Sequence, residues 1–239
     1  FFSFIGSGKV GWSLRSQLAP GTRCALEHGG VAPVIVAEDA DLDDAVPLLT
    51  KGGFYHAGQV CISVQRIFAH ESIAHTLAER LAAAAQSLKV GDPTHPETDI
   101  GPLIRPREVD RVSEWVEEAV QGGAKMLAGA GRLSETCYAP TVLFDPPADA
   151  KVCTQEIFGP VMCVLPYSDL ESAIQAANSL PYAFQAAVFT RSIDTALAVY
   201  RRIDASAVMV NQHTAFRVDW MPFAGLRESG LGIGGSPYT

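Results

Sequence analysis

The 239-residue chain has no apolar run as long as the roughly 18 residues a membrane helix needs, so no membrane span is expected. It has few cysteines, and their number is odd: Cys24, Cys61, Cys137, Cys153 and Cys163. That count and the irregular spacing argue against a disulfide framework. No CxxC pair suggests a zinc site, so no metal is expected either. Unpaired thiols predict a reduced, cytoplasmic protein. Positive charge is scarce too, with 18 Lys and Arg against 26 Asp and Glu and a net charge of −8. Binding a phosphate backbone needs a basic face, so no nucleic-acid partner is expected, although a local cationic pocket for a phosphate or carboxylate stays open. No basic leader precedes the apolar Phe1-Phe2-Ser3-Phe4-Ile5, which therefore predicts a core strand rather than a signal peptide. There is no initiator Met, and Ser236-Pro237-Tyr238-Thr239 closes no periodic element. Both ends are expected to be cut from something longer. Internal repeats and low-complexity segments are lacking as well.

What is present is enough apolar material for a sizeable core: 48% hydrophobic residues and 18% charged. Apolar strand-like runs at 1–5, 34–37, 64–69, 125–127, 141–144, 161–166, 186–189 and 207–210 alternate with helical patterns. The helices are expected over 9–18, from 41 onward, and over 72–88, 107–120, 170–178 and 195–202. Asp41-Leu42-Asp43-Asp44 puts acids at a helix start, where the helix dipole favours them. Gly91-Asp92-Pro93-Thr94-His95-Pro96 is a loop. The alternation predicts an α/β fold with a mostly parallel sheet flanked by helices, with a boundary near residues 23–27 where the first βα unit ends.

Cys61 follows small residues in Ala57-Gly58-Gln59-Val60-Cys61, which leave room for a substrate and a backbone oxyanion contact. Glu27 lies in Leu26-Glu27-His28-Gly29-Gly30, on a second glycine-punctuated loop. Together they could serve as nucleophile and general base, though an isolated cysteine is by default a small buried hydrophobe. The other four cysteines stay under that default. Gly6-Ser7-Gly8 between a strand and a helix can hold a pyrophosphate on backbone N–H groups, or it can be an ordinary tight turn. Glu156-Ile157-Phe158-Gly159-Pro160 offers a carboxylate for a sugar's hydroxyls and an aromatic to border a flat ring, or else a helix-to-strand connection. Asn211 ends a strand. The Gly-rich run Pro222-Phe223-Ala224-Gly225-Leu226-Arg227-Glu228-Ser229-Gly230 follows and could be either site or plain turn.

In order and spacing, these segments resemble the catalytic half of an NAD(P)-dependent aldehyde dehydrogenase. The match runs through Phe4-Ile5-Gly6-Ser7 with Val10-Gly11, Leu26–Gly30, Gly58–Cys61, Glu156–Val161, Asn211, Pro222-Phe223 and Ser229-Gly230-Leu231-Gly232. The resemblance implies oxidation of a small aldehyde to a carboxylic acid with NAD or NADP. Cys61 would be the nucleophile, forming a thiohemiacetal and then a thioester, with its own backbone N–H at the oxyanion. Glu27 would activate the hydrolytic water. Gly6 and Ser7 would meet the pyrophosphate, Glu156 the nicotinamide ribose, and Phe158 the nicotinamide. The domains implied are a remnant of the dinucleotide-binding domain at 1–25, a catalytic domain at 26–232 and a truncated tail at 233–239. The family's oxyanion Asn and most of its nucleotide domain would precede residue 1. A strand used for pairing into a homodimer or homotetramer would follow Thr239. This chain alone is therefore expected to be inactive.

Two positions depart from the family pattern. The usual Leu-Glu-Leu-Gly-Gly-Lys is Leu26-Glu27-His28-Gly29-Gly30-Val31, and the usual late Lys is Arg227. The rival readings are a non-catalytic α/β binding domain and a cysteine acyltransferase or thioesterase, for which His28 or His56 could be the base. Phe216–Phe223 resembles a segment of branches acting on hydroxy- or phospho-aldehydes. Arg217 could bind a carboxylate or phosphate, but a loop ion pair with Asp219 is the favoured reading, so the substrate stays a small aldehyde.

Overall fold

A computed structural model of the chain describes residues 1–129 and 131–234. The last five residues of the expected tail, 235–239, lie outside the described residues. Twelve strands and seven helices are described. The strands are β1 Phe2–Ile5, β2 Cys24–Glu27, β3 Ala32–Val36, β4 Val64–His70, β5 Lys125–Ala128, β6 Thr141–Phe144, β7 Val161–Tyr167, β8 Tyr182–Ala183, β9 Gln185–Phe189, β10 Ala207–Val210, β11 Leu226–Arg227 and β12 Gly230–Leu231. The helices are α1 Gly8–Arg15, α2 Leu42–Phe54, α3 Glu71–Ser87, α4 Pro106–Gln121, α5 Lys151–Thr154, α6 Leu170–Asn178 and α7 Ile193–Arg202.

Seven strands form the main sheet in the order β10-β9-β3-β4-β7-β6-β5. Every neighbouring pair is parallel except β5 with β6. The expected α/β fold with a mostly parallel, helix-flanked sheet is present. Central strands of such a sheet are covered on both faces, which is why burial does not alternate along β4 from Val64 to Ala69 or along β7 from Val161 to Val164. Side chains of β3 divide between two cores. Val34 and Val36 join α2, α3 and α4 on one face, while Ile35 joins α6 and α7 on the other. Helix α4 explains its own pattern: Val109, Val112, Val116 and Ala119 fall on one buried stripe at helical spacing. Asp41, Asp169 and Ser192 cap α2, α6 and α7 by accepting first-turn N–H groups, each cap contributing about 1 kcal/mol.

A second, three-stranded sheet runs β1-β2-β12. It was not legible in the sequence beyond β1. Glu27 was expected on a glycine-punctuated loop, but it is the last residue of β2, paired with Ile5 on one side and Gly230 on the other. Strand β2 also crosses the expected boundary near residues 23–27. The Gly-rich tail therefore straps the Glu27 strand. Close backbone packing explains its glycines, since a Cβ on Gly230 would come within 2.4 Å of the Leu26 carbonyl oxygen.

Candidate active site

Cys61 sits just beyond a left-handed turn. His56, Ala57 and Gly58 have φ of 52°, 56° and 71°. Left-handed backbone costs a non-glycine residue roughly 1–2 kcal/mol, so the surrounding contacts must hold this turn in place. Gln59 is one such contact. Its amide donates to the carbonyls of His56 and Pro102 and accepts from the Ile104 N–H, tying the turn to the loop before α4. Thr214 supplies another, donating to the Ile62 carbonyl at 2.6 Å. Half-buried Cys61 packs with Val60 and Tyr55 against a small apolar cluster of Ile62, Phe184, Ala215 and Phe223. This cluster is a wall beside the sulfur.

Two carboxylates lie near enough to act on the thiol. Burial is the largest influence on it, followed by the charges of Glu156 and then Glu27, and together they push the Cys61 pKa up to about 12. A buried thiol between two acids is protonated at neutral pH. Burial also raises Glu27, with partial relief from the Arg217 charge. Glu156 is raised by burial to about 7, against the lowering effect of the Gly30 N–H and Arg111. Its carboxylate lies on the Gly29-Gly30 backbone so closely that a Cβ on Gly29 would come within 1.6 Å of Oε1. That Oε1 is buried without a hydrogen-bond partner.

The loop carrying Glu156 is held from below by buried Gln65. Its amide donates to the Val152 and Gln155 carbonyls at 2.8 and 2.7 Å and accepts from the Ile157 N–H at 3.2 Å. Arg111, stacked on Trp115, donates to the Ile157 carbonyl at 2.7 Å. Phe158 is left exposed at the rim, in a left-handed conformation with φ 44°. Sequence reasoning missed both clamps. A polar Gln in the apolar run 64–69 was the one available signal.

Other sequence-picked residues are placed away from the thiol. Asn211 is a backbone clamp, accepting from the Thr190 N–H and donating to the Thr190 carbonyl. Arg227 donates to the carbonyls of Asn178 and Leu180 and pairs with Asp204. The favoured ion pair between Arg217 and Asp219 is not made. Arg217 is exposed, has no salt bridge among the described residues, and lays its guanidinium 4.5 Å from the centre of the Phe223 ring, beside the Cys61 cluster. Both rival bases have other partners. His28 bonds the Gly6 carbonyl, and exposed His56 stacks on Tyr55. Cys153 and Cys163 are buried, and all five cysteines are free. Gly6 and Ser7 form the turn between β1 and α1. The first-turn N–H groups of α1 have no acceptor within the helix. Among the described residues, no helix is long and apolar enough to cross a membrane, and no group of three His, Cys, Asp or Glu side chains could hold a metal ion.

Fold and site define an α/β domain with a half-buried thiol under the charges of two carboxylates, one of which, Glu27, is bonded through its backbone to the glycine turn at the start of α1. The model of the Aldehyde dehydrogenase family matches residues 1–239, and the chain belongs to that family. It is 41% identical over 238 residues to 3-sulfolactaldehyde dehydrogenase of Priestia aryabhattai, covering 100% of this chain and 50% of the relative. Among solved structures, the glyceraldehyde-3-phosphate dehydrogenase GapN of Methanocaldococcus jannaschii, complexed with NADP, matches with TM-score 0.93 and 41% identity over 99% of this chain and 51% of that one. Aldehyde dehydrogenase 21 of Physcomitrella patens, in complex with the reaction product succinate, matches with TM-score 0.94 and 36% identity over 99% and 49%. The chain spans about half the length of the curated relatives it matches.

Proposed function

We propose that this chain supplies the catalytic residues of an enzyme that oxidises a small aldehyde to its carboxylic acid with NAD or NADP. The observation that carries this reading is the half-buried Cys61 thiol under the charges of Glu156 and Glu27, with the exposed cation Arg217 acting on Glu27 and Cys61. Cys61 attacks the aldehyde carbon, a C–S bond forms, and the thiol proton passes to a base. Water carries it off to solvent, so Glu27, whose proton affinity burial raises, stays available as the base of the later step. The Cys61 backbone N–H donates to the oxyanion of the resulting thiohemiacetal. Bound NAD or NADP supplies the two-electron acceptor for the oxidation. The acyl group then stays on Cys61 as a thioester until Glu27 deprotonates the water that releases the acid.

The residues present fit such a cofactor. The buried Glu156 Oε1 lacks a partner and suits a ribose hydroxyl, Phe158 lies exposed at the rim, and the N–H groups of Ser7, Gly8 and Lys9, which have no backbone acceptor among the described residues, suit a pyrophosphate, while the Gly6 N–H is taken by the Glu27 carbonyl. Residues 1–25 then act as part of the dinucleotide-binding region and 26–232 as the catalytic domain, in a cytoplasmic homodimer or homotetramer. The free cysteines support a reducing compartment, and the seven-stranded sheet, built from strands between residues 32 and 210, supports the catalytic domain. Arg217 narrows the substrate to a small aldehyde bearing a carboxylate, sulfonate or phosphate, because an unpaired guanidinium on an aromatic face suits an anion. The names and product of the three relatives fit that chemistry.

The test is reduced-cofactor absorbance with anionic and neutral small aldehydes. It should be run on this chain and on a version extended to the relatives' length. Stoichiometric acid and reduced cofactor are expected from the extended version, and none from this chain or from extended C61S. A folded extended protein that oxidises no aldehyde, or one whose C61S variant keeps its turnover, would contradict the reading.

A further inference from the structure

His28 stands where the family pattern has an apolar residue, and its ring joins the glycine turn to the strand of the candidate base. The side chain is 2% exposed. Its Nδ1 lies 3.0 Å from the Gly6 carbonyl oxygen. A carbonyl only accepts, so Nδ1 carries the proton. The ring then fills the space over α1. A Cβ on Gly11 would come within 1.9 Å of the imidazole Cε1, so the helix approaches this closely only because residue 11 is glycine. Trp12 meets the imidazole edge-on at 5.6 Å and donates its indole N–H to the Glu228 carbonyl. The His28 backbone N–H donates to the Ser229 carbonyl at 3.0 Å. One residue thus touches the turn, the first helix and the tail strap, and it directly follows Glu27 in the chain. Leucine could fill the volume but could not hold the Gly6 carbonyl.

We propose that His28 is a positioning residue for the cofactor phosphates: its Nδ1–H fixes the Gly6 carbonyl and its ring seats α1, so that the N–H groups of Ser7, Gly8 and Lys9 are held in one arrangement toward an anion. This rests on the reading of the turn as a pyrophosphate site. It needs no change at Cys61. One neutral hydrogen bond is involved, so the expected effect is about fivefold.

Two variants separate the bond from the packing. H28L keeps an apolar side chain and loses the donor, whereas H28N places an amide N–H near the Nδ1 position. Amide hydrogen exchange of the peptide covering residues 6–12 is measured in this chain, with the β4 peptide as the reference for global stability. Exchange is expected to speed about fivefold in H28L and to return most of the way in H28N, with β4 unchanged. Equal exchange in all three proteins would overturn the proposal. NADP affinity is then titrated in versions extended to the relatives' length. A roughly fivefold weaker Kd in H28L, recovered in H28N, with Cys61 alkylation unaltered, supports the role. A loosened turn with unchanged Kd would overturn it. If the wild-type extended protein binds neither NAD nor NADP, the functional reading fails together with the cofactor role, and the exchange data alone report whether His28 fixes the turn.

Discussion

Gly58 and Gly159 touch backbone to backbone: a Cβ on Gly58 would lie 2.1 Å from the Gly159 carbonyl oxygen. The turn that presents Cys61 and the loop that presents Glu156 and Phe158 are therefore one mechanical unit. Gly58 is also left-handed, at φ 71°. G58A should cost more than backbone strain alone, on the order of 3 kcal/mol, because the two loops must part. G21A is the control, being left-handed at φ 83° with nothing within 4 Å. It should cost only about 1 kcal/mol. Thermal unfolding of both variants tests this, and equal losses would mean that the contact carries no weight.

The thiol should respond to its acidic neighbours in a defined direction. Ionised Glu156 opposes the thiolate, so its removal lowers the Cys61 pKa from about 12. At pH 8, E156Q should therefore be alkylated by iodoacetamide several-fold faster than wild type, since the rate follows the thiolate fraction. Below about pH 7 wild-type Glu156 is itself protonated, and the difference should fade. A gap that persists unchanged at pH 5.5 would point to altered access rather than charge.

Glu156 also ties stability to pH. Its folded pKa is raised to about 7, so the folded state holds the proton more tightly than the unfolded chain does. Stability from this group is present in acid and is lost as pH rises through about 7. E156Q should remove that loss. Chemical denaturation at pH 5.5 and 8 should find wild type falling relative to E156Q. Parallel behaviour would show that the carboxylate is not held where burial raises it.

Much of this was legible in the sequence because periodicity reports burial directly. Strands β3, β4, β7, β9 and β10 and the long helices fall within a few residues of their expected positions, since each carries its own apolar pattern. The short strands β2, β11 and β12 do not. Strand β2 is four residues long, and β11 and β12 two each. They are specified by long-range pairing and by glycines that permit close backbones, not by a local pattern. Glu27 consequently looked like a loop residue. The clamps Gln59 and Gln65 were hidden for a similar reason, since their partners lie 43 to 92 residues away. Arg217 was misjudged because Asp219 is near in sequence, whereas the ring it stacks on is Phe223.

Arg217 gives a direct specificity test in the extended enzyme. A charge-assisted hydrogen bond to an anion contributes about 2–3 kcal/mol. R217A should therefore lower kcat/KM for an anionic aldehyde roughly 30- to 150-fold. A neutral aldehyde of equal length should change by less than about threefold. Equal losses on both substrates would assign Arg217 to the loop fold instead.

The central claim is that Cys61 carries the acyl group and Glu27 clears it. The most direct measurement uses the extended E27Q enzyme, mixed with an anionic aldehyde and NADP, quenched in acid and digested for mass spectrometry. The Cys61 peptide is expected to gain the mass of the acyl group in near-stoichiometric yield. A burst of reduced cofactor should accompany it, followed by slow turnover. Acylation of another cysteine, or rapid turnover with an unmodified Cys61 peptide, would contradict the account.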